Sequence, residues 1–131
     1  RLGDSSTPMI SQSAFEIGGM VSIWVGNFAD DVQFDHYMNL SKQFEKDFGF
    51  IINDRAVREG VVESTPTSIE ALVRGFSSWE SFAPAVIQAA RTAGVDRATT
   101  MIVFYCVEFA PSKVRVNPNA PLDFIGAFPF S

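Results

Sequence analysis

Three kinds of side chain in this sequence could do chemistry: carboxylates, one histidine and one cysteine. Asp30, Asp31 and Asp35 cluster, and Asp54, Glu59 and Glu63 follow. A glycosidase-type acid pair is compatible with such spacing, but nothing favours it. The ligand spacing of a calcium-binding loop is absent. Acidic residues at the start of a helix are also expected from the macrodipole alone, so Asp30 and Asp31 need no catalytic explanation. His36, the one side chain that titrates near neutrality unaided, falls mid-helix beside Asp35 with no nucleophile or orienting partner nearby. The expectation for it is a solvent-facing or half-buried side chain. Cys106 lies between Tyr105 and Val107 in the most apolar run of the chain, where a reactive thiol is not expected. It is expected to be buried and inert. One cysteine and one histidine can build neither a disulfide nor a zinc cluster, so no metal or cofactor site is expected. The glycine loops that cradle phosphates or dinucleotides are missing, as are the zinc-protease helix and the hydrolase nucleophile elbow. No catalytic residue is assigned.

The elements that must position these residues follow from hydrophobic period and caps. VSIWVGNF (21–28) alternates as a strand, with Val21, Ile23 and Val25 on one face and Ser22, Trp24 and Gly26 on the other. Asp30 is an N-cap for helical spacing over 30–39, continued after a break near Asn39 by 41–47, with Gly49 as a left-handed cap. A short strand covers 50–53. Val61 and Val62 could pair in the sheet, and 64–67 is loop. Thr67-x-x-Glu70 and Ser77-x-x-Glu80 fit capping boxes. The second opens the clearest amphipathic helix, 78–93, with Trp79, Phe82, Ala83, Val86, Ile87 and Ala90 on one stripe. TTMIVFYCVEF (99–109) is a central strand, 113–116 a possible edge strand, and 122–130 a last strand. The expected fold is a single α+β domain: a mostly antiparallel sheet of about four to five strands with two to four helices packed on one face.

Residues 1–19 are rich in Ser, Gly and Thr and lack a sustained period. They are expected to be an added leader or a disordered extension, with 20–131 as the folded domain. Ile10, Phe15 and Ile17 are the residues of this segment that could dock on a neighbour. The segment lacks the pattern of a secretory signal, and no apolar run is long enough to span a membrane as a helix. The whole chain has 131 residues, 47% hydrophobic and 19% charged, with net charge −5. That composition excludes an unfolded chain and disfavours a nucleic-acid binder, which needs a basic face. The acidity belongs to the domain and not to the leader.

A resemblance adds a role. IWVGNF (23–28), FEKDFG (44–49), IEAL (69–72), GFSSWESF (75–82), Ala89-Ala90 through Gly94, MIVFY (101–105) and FIGAF (124–128) occur in an order that resembles the immunity protein 22 family. The similarity covers about Met20 to Phe130. It implies a cytoplasmic bacterial protein that binds the C-terminal domain of a polymorphic or contact-dependent toxin and protects the producing cell. The family supplies no catalytic residue to carry over. If the toxin is a nuclease with a basic active site, an acidic inhibitor would be steered to it and could mimic phosphate. Asp30, Asp31, Asp35, Asp54, Glu59 and Glu63 are then the expected partner-binding residues. Two other readings stay open: a small ligand-binding domain or enzyme using carboxylates or Tyr105, and a self-associating module using the edge of the last strand.

Overall fold

The computed structural model describes residues 9–53 and 57–131. Its centre is a four-stranded antiparallel sheet of β2 (Glu16–Gly26), β4 (Arg58–Ser68), β5 (Arg97–Val107) and β6 (Leu122–Pro129), in the order β4-β5-β2-β6. β2 and β5 are the inner strands, and in register Ile23 faces Val103 and Trp24 faces Ile102. A parallel pair, β1 (Ile10–Ser11) with β3 (Phe50–Ile51), stands beside it. The α+β class and the antiparallel sheet are as the sequence predicts.

The helices are not on one face. α3 (Ile69–Val73) and α4 (Trp79–Thr92) cover the side that carries Val21, Ile23, Val25, Met101 and Val103. α1 (Asp31–Asp35), a π-helical turn (His36–Leu40) and α2 (Gln43–Phe48) cover the other, against Trp24, Ile102 and Phe104. The reason lies in β5, whose residues 98–105 are all buried. A strand apolar on both faces needs cover on both. The second core is aromatic. The Trp24 ring centroid lies 5.2 Å from Phe44, 5.6 Å from Phe48, 5.4 Å from Phe104 and 4.9 Å from Phe124. These edge-on and tilted pairs each add about 0.5–1.5 kcal/mol beyond the area they bury. Trp24 Nε1 is buried there without a hydrogen-bond partner, at a cost of about 1–3 kcal/mol that the packing offsets.

Residues 9–19 take part in the fold. Phe15 is buried against Phe50 and Phe109, and Ile10 packs beside the same aromatic cluster. Ile17, expected to dock with them, is exposed. Buried Gln12 accepts from the Asn53 N–H at 3.0 Å, tying this segment to the end of β3. β2 thus begins before the strand start expected at Val21.

Cys106 overturns its expectation. It is exposed and has φ +60°. Strict alternation would set Val107 on the side of Tyr105, yet Val107 belongs to the aromatic cluster with Phe104. The left-handed residue stands opposite the bulge in β2 between Glu16 and Val21, shifts the pleat by one and turns the thiol outward. Such a backbone costs about 1–2 kcal/mol for a residue with a Cβ. Buried Ser22 repairs the ladder beyond it, donating to Val107 O at 2.8 Å and accepting from Phe109 N at 2.9 Å.

The caps fall one residue later than the boxes predicted. Ser68 caps α3 by accepting from Ala71 N at 3.2 Å, and Ser78 precedes α4 in a left-handed conformation without a side-chain cap. Ser77 is taken instead by Glu59. The stretch 113–116 forms no strand; a 3-10 turn (Pro111–Lys113) precedes it. The expected loop at 64–67 belongs to β4, where the register slips between Val62 and Thr67.

Candidate functional site

α1 starts where the sequence placed it. Asp30 Oδ1 accepts from Gln33 N at 2.8 Å, satisfying an N–H the helix leaves unpaired. The helix then presents Asp31, Phe34, Asp35 and Met38 along one side, at the spacing of successive turns. Opposite them runs the start of β4. Gly60 gives Phe34 room there: a Cβ at this position would stand 2.9 Å from the Phe34 ring, which would have to shift. Between the two elements lies a groove of ≈ 330 Å³, with Phe34, Met38 and Ile102 as its apolar floor and Asp31, Asp35 and Arg58 on its rim.

The π-helical turn sets Asn39 into this groove. Ser41 N reaches back to His36 O at 2.8 Å, the five-residue bond of a π turn. Asn39 Nδ2 donates to Asp35 Oδ1 at 2.7 Å, and Arg58 Nη2 donates to Asn39 Oδ1 at 2.6 Å. Asp35, Asn39 and Arg58 therefore form a relay from α1 to β4. Burial pushes the Arg58 pKa below its ordinary value, while the charges of Glu45 and Asp35 push it back. The same guanidinium borders a second recess of ≈ 200 Å³ with Lys42, Glu45 and Ile52. A third, of ≈ 330 Å³, opens on the other side of β4 around Ile17, Val57 and Cys106. The first two share Arg58, the first residue of β4, and Val57 just before it, 63% exposed, lines the third.

Of the acids singled out from sequence, Asp31, Asp35 and Glu59 come together at this groove. Glu59 is largely committed to the fold. It accepts from Ser77 N at 2.9 Å, from Ser77 Oγ at 2.6 Å and from the Tyr105 hydroxyl at 3.1 Å. Burial would raise its pKa, but these donors together outweigh burial and hold it below the usual carboxylate range. The Tyr105 pKa is raised by burial first and then by the Glu59 charge. Asp30 is a cap. Glu63 is exposed at the slipped register of β4, and Asp54 lies outside the described residues. His36 is exposed, as expected.

Arg58 and Asn39 were missed in the sequence. The break near Asn39 was visible, but its partner Arg58 lies on a strand of which only Val61 and Val62 were expected to pair.

The opposite side of the molecule has a shallow apolar recess of ≈ 240 Å³ between α3 and α4, lined by Val73, Trp79, Pro84 and Ile87. Among the described residues, no set of three or more His, Cys, Asp and Glu is placed to hold a metal ion. No helix among them is long and apolar enough to cross a membrane.

A family model described as Immunity protein 22 matches residues 21–131. No curated protein and no solved structure matches the chain.

Proposed function

The chain belongs to the Immunity protein 22 family, and from that premise we propose that it neutralises a cognate bacterial toxin by stoichiometric binding rather than by catalysis. The observation that carries this reading is the family match over nearly the whole folded unit. The partner is the toxic C-terminal domain of a polymorphic or contact-dependent effector, and the site of action is the cytoplasm of the producing cell. A nuclease domain with a basic active site fits the net charge of −5 best.

The distribution of polar chemistry supports binding over turnover. The Tyr105 hydroxyl, the one tyrosine considered for catalysis, donates at 2.7 Å to Ser77 O and is tied to Glu59. The aromatics that favoured a ligand-binding domain pack on one another around Trp24. The grooves near β4 are open troughs between elements, suited to side chains of a partner surface.

The test is direct. The chain and the toxic domain encoded immediately upstream are co-expressed, the complex is isolated by gel filtration, and toxin activity is titrated with the purified chain. Inhibition that saturates at a fixed molar ratio is expected. Absence of a complex at about micromolar concentration refutes the proposal.

A further inference from the structure

The grooves at β4 differ in charge, and the one beside α1 is incomplete on its own terms. Asp31 and Asp35 stand one turn apart on the same side of a helix of five residues. Like charges at that spacing destabilise a helix by a few tenths of a kcal/mol. The protein answers only half of this. Asp35 has Asn39 on one oxygen and the charge of Arg58 near it. Asp31 is exposed, and among the described residues its carboxylate takes no hydrogen bond. Arg58 gives an Nη2 N–H to Asn39 at 2.6 Å, and among the described residues it makes no hydrogen bond to Asp31. Below the acids the floor is apolar: the half-buried Phe34 ring, and Met38 and Ile102, exposed by 3% and 2%. An apolar trough with an unanswered negative end matches a long side chain with a greasy stem and a positive head.

We propose that the groove between α1 and the start of β4 receives a single lysine or arginine side chain projected from the toxin surface. Its aliphatic stem lies over the half-buried Phe34 ring, and its cationic head pairs with Asp31 at the groove mouth. The Asp35–Asn39–Arg58 relay holds the far wall in place, so the groove is formed before the partner arrives. This assignment rests on the toxin-binding reading and names the chemistry that site recognises.

The experiment measures the dissociation constant of the complex with the upstream-encoded toxic domain for the wild type, Asp31→Asn and Glu80→Gln. Both substitutions remove one negative charge. Glu80 is exposed on α4, across the sheet. Among the described residues the Asp31 carboxylate makes no hydrogen bond, so its amide preserves the fold, and melting curves check this. Asp31→Asn is expected to weaken binding roughly 5- to 100-fold, and Glu80→Gln less than about twofold. Alanine scanning of the toxin's Lys and Arg residues should find one whose loss adds little to Asp31→Asn. Equal effects of the two carboxylate variants reduce the acids to bulk steering and overturn the groove assignment. So does a scan in which every basic residue acts additively with Asp31→Asn. Absence of any complex with the wild type defeats the neutralisation reading itself, and the groove assignment falls with it.

Discussion

Substituting Tyr37 by Phe probes the anchor that joins the π turn, α2 and the loop before β6. Asp47 is buried, with 2% of its surface exposed, and no cation touches it in its hydrogen-bond set. Three neutral donors satisfy it instead: Tyr37 Oη at 2.8 Å, Gln43 Nε2 at 3.0 Å and Asn117 Nδ2 at 2.9 Å. Tyr37 is itself 6% exposed and packs on Phe28 at 5.2 Å and Phe44 at 6.2 Å. Phenylalanine keeps those ring contacts and deletes one hydrogen bond to a buried charge. A hydrogen bond to a charged group is worth about 1.5–3 kcal/mol. The expected loss is therefore about 2 kcal/mol, read as a lower urea midpoint with an unchanged slope. In an Asp47→Asn background the same substitution should cost about 1 kcal/mol or less, since the acceptor is neutral. A loss below about 0.5 kcal/mol in the wild-type background refutes the anchor. Equal losses in the two backgrounds refute the role of the charge.

Two further outcomes are expected. Burial is the largest cause raising the pKa of both Tyr37 and Tyr105, and the Asp47 and Glu59 carboxylates add to it, so each stays protonated in the fold well above the ordinary 10.0. Because the folded values are raised, the tyrosine contribution is fully present below about pH 10 and is lost as pH climbs above it. With two tyrosines in the chain, stability should fall there by up to about 2.7 kcal/mol per pH unit. Tyr37→Phe should halve that slope, whereas an unchanged slope would contradict the burial of its hydroxyl. Cys106, turned outward by its left-handed backbone, should react with a thiol reagent in the native state, and Cys106→Gly should keep or raise the melting temperature. A protected thiol or a clear drop in melting temperature would refute the left-handed conformation.

The long periodic elements were legible because a single apolar face decides them. The stripe of α4 is of this kind, whereas β2 alternates in sequence although its residues 21–26 are buried on both faces; Asp30 and Gly49 announced their caps. The division of helices between two faces was partly visible in the unbroken apolarity of 99–109. Deciding that both faces carry helices needed the pairing partners of that strand. Cys106 was misplaced because its burial was inferred from neighbours on an unbroken pleat, and one left-handed residue breaks that inference. For the site, the acids of α1 could be read from their types, since a helix brings residues four apart together. The relay through Asn39 to Arg58 spans 19 residues and a change of element, and no local pattern encodes it.

The strand order has a consequence in time. β2, near the start of the chain, is flanked by β5 and β6, its last two strands. During synthesis β2 waits for β5 to pair one of its edges and for residues as far as Pro129 to pair the other. Pairings of such sequence separation also close slowly, on the order of milliseconds to seconds. A chain released early or clipped before β6 leaves one side of β2 open, an edge that invites aggregation. If the chain neutralises a toxin as proposed, this topology delays protection until β6 has been made and favours a reserve of finished copies.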